Sequence, residues 1–350
     1  MEESARRPPL LPDRMHQEDF FVCDIFDAVP KADMASMEHP VFSISTKPDR
    51  RVRRYENGSN FIEISPSAKG LATVHDRDIL IFCISQLMAA LNRGETVSKT
   101  LHFKAYDMLT ATNRPTGGES YSRLREALAR LQGTQIETNI TTGDAEVLDG
   151  FSLIDRFRIV RETRDGRMQE VEVELSEWVF SAIKAREVLT IHRDYFRLRK
   201  PLERRMYELA RKHCGQKRSW RIGLTRLQEK CGSTSAGWEF HRMVRKIVTE
   251  DETHGHMPDY AVSFDEDMVV FTNRNTMKST AAAPSWIAEI RLDSDTYDEA
   301  REAAPGWDPY YIEQEWRNWL VTSGKEPPRK PDLAFIRFCM SFYERRGAPA

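Results

Sequence analysis

The sequence predicts an α+β fold because one order of elements occurs in it twice. Within residues 76–175, and again within residues 202–275, a helix and a shorter helix precede a helix with an arginine-bearing side, and alternating strands follow. Each arginine-bearing helix has its apolar residues on the opposite side, at the spacing of a helix with one buried face. Alternating strands around a turn form hairpins. This is the order of a winged helix, a helix-turn-helix with a β-hairpin wing, so we predict a tandem winged-helix protein with a helical C-terminal segment.

The start of the chain is polar and rich in arginine and proline. Residues 1–17 have no apolar core of the kind found in signal peptides, and we expect a flexible tail. No apolar run approaches the about 18 residues that a membrane span requires. The five cysteines are scattered without a CxxC pair, which indicates a reducing compartment and no disulfides. We therefore expect a cytoplasmic protein that does not contact a membrane.

The first predicted unit, with a strand-rich extension before it, covers residues 18–175. Asp76 is placed as the N-cap of a long buried helix, and a short helix and a glycine-containing loop follow. The stretch ESYSRLREALARLQGTQIETN (residues 119–139) then predicts a helix joined to a strand. The helix has three leucines on one side and charged residues on the other: Leu124, Leu128 and Leu131 against Arg123, Glu126 and Arg130. The strand after it is expected to begin the wing.

The second predicted unit, with a connecting helix before it, covers residues 176–275. LERRMYELARKHC and RIGLTRLQEKCG predict its first two helices, and GWEFHRMVRKIVTED predicts the third. The third helix has an apolar face formed by Phe240, Val244, Ile247 and Val248. DYAVSFDEDMVVFTNR predicts two strands around an acidic turn.

The C-terminal part divides into a linker over residues 276–306 and a helical segment over residues 307–350. The helical segment is rich in aromatic residues: Trp307, Tyr310, Tyr311, Trp316, Trp319, Phe335, Phe338 and Phe342. We expect these rings to pack in a core. The alternative is a docking surface for a partner protein.

The net charge of −2 conceals an uneven distribution. From Lys184 to Lys246 there are 18 Lys and Arg against 6 Asp and Glu, a local net of +12, whereas the residues after Lys246 carry 11 against 19, a net of −8. A strongly basic middle in a neutral chain favours a polyanion such as nucleic acid, although a solvated helical surface would give the same count.

Sequence signatures of catalysis and of metal binding are absent. There is no GxxxxGK[ST] phosphate loop and no GxGxxG after a strand. His254 and His256 flank a glycine and are interpreted as a surface pair, because their setting is not that of a metal site. Cys214 and Cys231 fit no zinc spacing and are interpreted as buried apolar residues. We therefore expect no catalytic residue, metal or cofactor.

Several long stretches of the chain resemble the plasmid replication initiator protein A family of bacteria. They include PSAKGLATVHDRDILIFCISQL, YDMLTATNRPTGGESYSRLREALARLQGTQIETN and VLTIHRDYFRLRKPLERRMYELARKHCG, and the resemblance covers roughly residues 18–275. It implies a non-enzymatic protein that binds tandem repeats of double-stranded origin DNA and helps the origin to open. The implied partners are the host initiator DnaA and the replicative helicase, with a homodimer as a further possibility.

The resemblance also implies which residues contact DNA, through two third helices that lie in successive major-groove segments. In the first unit these are Ser122, Arg123, Arg125 and Arg130. In the second unit the third helix would use His241, Arg242, Arg245 and Lys246. Lys217, Arg218, Arg221 and Arg226 would hold phosphates around the second unit. Two alternatives remain open: a winged-helix transcriptional repressor, and a nicking or priming enzyme.

Overall fold

The computed structural model describes residues 8–15, 22–24, 40–57, 60–142, 145–161, 168–185, 189–215, 217–279, 285–323 and 326–348. The strands are β1 (Cys23–Asp24), β2 (Arg53–Asn57), β3 (Asn60–Ser65), β4 (Thr100–Lys104), β5 (Gln135–Thr142), β6 (Ala145–Ser152), β7 (Ile154–Arg161), β8 (Met168–Leu175), β9 (Leu189–Thr190), β10 (Ser219–Gly223), β11 (Tyr260–Asp265) and β12 (Met268–Asn273). The helices are α1 (Arg77–Asn92), α2 (Ala105–Ala111), α3 (Gly118–Gly133), α4 (Glu177–Lys184), α5 (Pro201–His213), α6 (Leu224–Cys231), α7 (Gly237–His254), α8 (Arg274–Ser279), α9 (Ser285–Glu289), α10 (Ser294–Ala303), α11 (Pro309–Ser323) and α12 (Pro331–Arg346). A 3-10 helix spans Arg193–Arg197. These strands pair antiparallel, so the predicted combination of helices and antiparallel strands is confirmed.

The first unit consists of α1, β4, α2, α3, β7 and β8 in chain order. In its three-stranded sheet, β8 lies between β4 and β7. The three predicted leucines of α3, Leu124, Leu128 and Leu131, are fully buried in its core. The predicted helix is therefore confirmed, and its charged side faces outward because the leucines fix its rotation about its axis.

The second unit repeats this order with α5, β10, α6, α7, β11 and β12, and β12 lies between β10 and β11. The predicted apolar face of α7 is buried as expected: Phe240, Val244, Ile247 and Val248. The sequence signals do not predict β4 or β10, because each strand has only five residues with few apolar ones. Pairing with β8 and with β12 specifies these two strands.

The strand after α3 has a different partner from the predicted one. Instead of beginning the wing, β5 pairs with β3 and β6 in a four-stranded sheet ordered β2-β3-β5-β6. Ile136 of β5 lies opposite Ile64 of β3, and both side chains are buried. The prediction for β5 is wrong because this apolar pair draws the strand into the neighbouring sheet. The hairpin that pairs with β4 is formed later, by β7 and β8.

Residues 8–15 connect the two units, although the sequence predicted a flexible tail there. The backbone N–H of Leu11 donates to the carbonyl oxygen of Arg197, and Arg197 Nε donates back to the carbonyl oxygen of Leu11, both at 2.9 Å. On the other side, Asn113 Nδ2 donates to the carbonyl oxygen of Pro12 at 3.1 Å. Asn113 follows α2 of the first unit and Arg197 precedes α5 of the second. This segment therefore ties the two units together.

Charged side chains of α1 and α5 meet inside the protein and form a buried ion network. Arg77 Nη1 donates to Glu208 Oε2 at 2.7 Å, and Arg204 Nη1 donates to the two carboxylate oxygens of Asp78 at 2.7 and 2.9 Å. None of these four side chains is more than 3% exposed. Because α1 and α5 belong to different units, the network joins the units to each other.

Arg204 and Asp78 of this network form further hydrogen bonds within the protein. Arg204 Nε donates to the carbonyl oxygen of Leu198, and its Nη2 donates to that of Phe196, both at 3.0 Å. Arg114 donates a further hydrogen bond to Asp78 at 2.9 Å. Burial raises the pKa of Asp78, but Arg204 and Arg114 outweigh it and hold the pKa below its usual value. The carboxylate is therefore ionised, as a buried ion with several partners must be.

The helices α9 to α12 form a C-terminal unit with a core of its own. Trp316 and Phe335 are buried at its centre with ring centroids 5.4 Å apart, which agrees with the core interpretation of the aromatic residues. Ile287 of α9 and Ala300 of α10 are buried in the same core, although the sequence predicted a linker over residues 276–306. That prediction is corrected for α9 and α10, whose few apolar residues are a weak signal by themselves.

Asp308 attaches the C-terminal unit to the second unit. Its Oδ2 accepts hydrogen bonds from Arg211 Nη2 at 3.2 Å and from the backbone N–H of Thr190 at 3.3 Å, while its Oδ1 accepts from the N–H of Tyr310.

Two aromatic side chains of the C-terminal unit remain substantially exposed, Tyr310 at 40% and Trp319 at 37%. Among the described residues, no helix has the length and apolar character that crossing a membrane demands.

We predict that Asp78→Ala lowers the free energy of unfolding by about 3–5 kcal/mol, because it leaves Arg204 as a buried cation without its carboxylate. Urea denaturation measures this loss. Glu95→Ala is the matched control, since it breaks the Arg93–Glu95 pair, in which both side chains are 53% exposed. A similar loss for both variants would contradict the importance of the network.

Acid is expected to destabilise the protein through His75. Burial and the charge of Arg204 lower the pKa of this imidazole from 6.5 to about 3. The unfolded chain therefore binds a proton between pH 6.5 and pH 3 that the folded chain does not bind, and stability falls as the pH falls through this window. His75→Gln should make the loss of stability between pH 7 and pH 5 smaller by up to about 2 kcal/mol. Urea titrations at both pH values test this, and parallel pH profiles would refute it.

Candidate nucleic-acid interface

The outward side of α3 carries three of the four predicted contact residues of the first unit. Ser122, Arg123 and Arg125 are exposed. Arg123 Nη2 donates to Glu119 Oε1 at 2.6 Å, yet the arginine side chain remains 70% exposed. Arg125 forms no ion pair with another described residue. An exposed pair one helical turn apart is weak, so the guanidinium of Arg123 can exchange its carboxylate for a phosphate.

Arg130 lies elsewhere, and its predicted contact with DNA is withdrawn. Its Nε and Nη2 donate to the two carboxylate oxygens of Asp76 at 2.7 and 2.8 Å, and the arginine side chain is only 19% exposed. Asp76 Oδ2 also accepts from the N–H of Thr73 at 2.8 Å. The predicted N-cap position of Asp76 is confirmed, since the N–H of Ile79 donates to its carbonyl oxygen at 3.1 Å, but its side chain accepts no N–H of α1. The pair instead fastens the end of α3 to the start of α1.

The outward side of α7 carries the predicted residues of the second unit. Arg242 is 65% exposed and donates to both carboxylate oxygens of Glu239 at 2.9 and 2.7 Å. Arg245 is exposed, with Nη2 3.2 Å from His241 Nε2 and its guanidinium carbon 5.5 Å from the ring centroid of Phe264. Lys246 is exposed beside it. These side chains form a cationic surface on the side of α7 opposite its buried face.

The four predicted phosphate contacts around the second unit are all exposed. Lys217 and Arg218 precede β10, and Arg221 lies on β10 with its guanidinium paired to Asp265 at the end of β11. Arg226, on α6, is 66% exposed with Nη1 3.6 Å from Glu229 Oε2. Asp265, beside the acidic turn between β11 and β12, therefore neutralises part of this cationic surface. The charge count from Lys184 to Lys246 did not include this carboxylate.

The basic middle of the chain also places several arginines inside the protein. Arg204, Arg205 and Arg211 are at most 6% exposed and bind carboxylates of the protein. They add to the local net charge of the sequence without contributing to a surface for a polyanion. The cationic surface is consequently narrower than the count of +12 implied.

Sequence reasoning missed the exposed aromatic residue of α7. Trp238, the second residue of the helix, is 73% exposed, more than any other large apolar side chain among the described residues. Isolated exposed apolar residues are common, but a tryptophan is rarely left so open to water. Its position in the first turn, ahead of the buried face that begins at Phe240, was the signal available in the sequence.

A group of potential metal ligands occurs in the second unit, but a lysine already occupies it. Glu203, Glu250 and His256 bring their ligand atoms within 4.8 Å of one another. Lys200 Nζ donates to Glu203 Oε1 at 2.7 Å and also binds Glu250. A cation beside this ammonium would be repelled, so the group fits an internal ion pair better than a metal site. His256 is only 4% exposed, which corrects the interpretation of His254 and His256 as a surface pair.

The predicted role of the cysteines as small buried residues is confirmed for Cys214 and Cys231. Both are at most 1% exposed. Burial raises the pKa of Cys214 to about 11 and that of Cys231 to about 12, so each is a neutral thiol rather than a metal-binding thiolate.

The chain is similar to known proteins in fold and, separately, in sequence. Crystal structures of domains 2 and 3 of RctB resemble it in fold: one has a TM-score of 0.50 with 13% identity, covering 69% of this chain and 96% of that one. Another has a TM-score of 0.49 with 14% identity, covering 67% and 94%. A putative replication protein of Wigglesworthia glossinidia brevipalpis is 37% identical over 264 residues, which are 73% of this chain and 94% of the relative.

The sequence profile of one family, described as RPA, replication initiator protein A, matches residues 31–262. This match covers most of the chain, including all of the first repeat and the three helices of the second. The resemblance inferred from the sequence alone is thereby confirmed. The chain belongs to the replication initiator protein A family.

Proposed function

We propose that this protein initiates replication by binding double-stranded origin DNA through two winged-helix units. The observation that carries the proposal is the duplication in the fold. Each unit has the order helix, strand, helix, helix, strand, strand, and each third helix turns a cationic side to solvent. In proteins with a helix-turn-helix, the recognition helix of this kind enters the major groove.

The exposed cations divide into two roles under this proposal. Residues near the start of α3 and α7 reach base edges, as the first turns of recognition helices do. Ser122 and Arg123 fill this role in the first unit, and His241 and Arg242 fill it in the second. Exposed cations farther from the helix starts, such as Lys217, bind phosphates and set the register of the protein on the duplex.

Two units in one chain suit a site of two half-sites or a series of tandem repeats. If α3 and α7 enter major-groove segments on the same face of the duplex, those segments lie about 34 Å apart. Several copies on repeated plasmid sites would bend the DNA, and neighbouring AT-rich duplex could then open. We further propose that the protein is not an enzyme, that DnaA and the replicative helicase supply the later steps, and that the protein can form a homodimer.

We predict that a plasmid carrying only the DNA flanking this gene replicates only when the protein is supplied in trans. The double variant Arg123→Ala with Arg242→Ala should abolish this replication, because both groove contacts are lost. Transformation frequency is the measurement. Repression of the protein's own promoter without any replication in trans would instead support the repressor alternative.

Substitutions of Arg123 and Arg130 should have different effects, the first on DNA binding and the second on stability. Because Arg123 is exposed and Arg130 is bound to Asp76, Arg123→Ala should weaken binding to the origin with little change in Tm, whereas Arg130→Ala should lower Tm. If Arg123 contacts a base edge, its loss should cost about 1–3 kcal/mol of discrimination against random DNA. Fluorescence anisotropy on both DNAs and thermal unfolding provide the measurements. Equal losses of affinity on origin and random DNA would contradict a base contact.

A further inference from the structure

A basic segment that precedes the first unit has contacts toward both proposed reading helices. Residues 47–54 (KPDRRVRR) carry five cations and one carboxylate, a net charge of +4. The sequence shows this segment only as a loop rich in arginine. We call it the basic bridge, because its contacts extend from the end of α3 to the loop before α7.

One end of these contacts reaches α3. A Cβ atom on Gly133, the last residue of α3, would lie 2.4 Å from Ser67 Cβ, so the two backbones approach closely. Ser67 Oγ donates to the carbonyl oxygen of Gly70 at 2.8 Å. Asp49 of the bridge contacts the same loop, because its carbonyl oxygen accepts a hydrogen bond from the N–H of Leu71 at 2.8 Å. The bridge is therefore fixed to the end of α3 through residues 67–71.

The other end reaches the second unit beside α7. Arg51 Nη2 donates to Thr234 Oγ1 at 2.9 Å, and Thr234 lies in the loop that leads into α7. A Cβ atom on Gly232, which ends α6, would lie 2.9 Å from Arg53 Nη1. The bridge thus packs on the turn that connects α6 to α7, three residues before α7 begins at Gly237.

The bridge holds the guanidinium of Arg51 in place and leaves it open to solvent, whereas the side chain of Arg53 is only 9% exposed. The carboxylate of Asp49, 3% exposed, accepts from Nε and Nη2 of Arg51 and from Nη2 of Arg53. Burial raises the pKa of Asp49, but these hydrogen bonds outweigh it and lower the pKa well below its usual range. Arg51 nevertheless remains 61% exposed, and Lys47 and Arg50 are exposed beside it.

We propose that the basic bridge binds the phosphate backbone between the two major-groove segments contacted by α3 and α7. This inference rests on the proposed function. Two successive major-groove segments on one face of a duplex are separated by a minor groove bordered by phosphates. The bridge contacts the loop before α7 directly and the end of α3 through residues 67–71. Exposed guanidinium groups held in place are suited to phosphate oxygens, because little side-chain entropy is lost on binding.

The test is the salt dependence of binding to origin DNA by the full-length protein carrying Lys47→Ala with Arg50→Ala. Neither residue supports the fold through a described ion pair, so the variant should keep its Tm. Loss of two phosphate contacts should make the slope of log K against log salt shallower by roughly 1.8. The preference for origin over random DNA should remain, because phosphates carry no sequence information.

Arg93→Ala with Arg345→Ala is the matched control, since it removes two exposed cations outside the bridge and should leave the slope unchanged. In a second arm, neutral methylphosphonates replace the phosphates between the two protected half-sites. This replacement should weaken DNA binding by the wild-type protein and leave DNA binding by the bridge variant unchanged. No binding of origin DNA by the wild type would defeat the proposed function itself. Normal binding with the same slope in wild type and bridge variant would overturn the bridge alone.

Discussion

The arrangement of this protein depends on a buried ion network between the first helices of its two repeated units. Arg77 of α1 pairs with Glu208 of α5, and Asp78 of α1 pairs with Arg204 of α5. Each of these four side chains is at most 3% exposed. Burying charges carries a large desolvation cost, which is recovered only when partners and hydrogen bonds are complete. If these helices were separated, the four charged side chains would either be exposed to water or remain buried without their partners. The network therefore favours one relative orientation of the two units.

That orientation determines how the cationic sides of α3 and α7 are placed relative to each other, because each helix is fixed by the core of its own unit. The leucines of α3 and the apolar face of α7 point inward, so their cationic sides must face outward. Residues 8–15 and the basic bridge each add further contacts with the second unit. Under the proposed function, a duplex would therefore meet two helices at a set separation, whereas flexibly linked units would adapt to many separations. The C-terminal unit is attached separately, through Asp308.

Local patterns in the sequence were sufficient for the helices of the two repeated units, their buried faces and the duplicated order, since these depend on periodicity over a dozen residues. They failed where pairing between distant segments decides the outcome. β4 and β10 have weak signals of their own, and β5 joins β3 through Ile64 rather than the wing. Arg130 and Arg123 look alike in the sequence, yet Asp76, 54 residues away, binds one of them. Charge counts likewise could not separate internal arginines such as Arg204 from exposed ones.

The central claim is that the two units act as one rigid reader of DNA. The most direct measurement is affinity for origin duplexes in which 5 or 10 base pairs are inserted between the two protected half-sites. A rigid pair predicts that both insertions reduce the affinity to that of a single half-site, because the first rotates the second site away and each increases its distance. Undiminished affinity for both insertions would contradict the claim and show that the units bind independently.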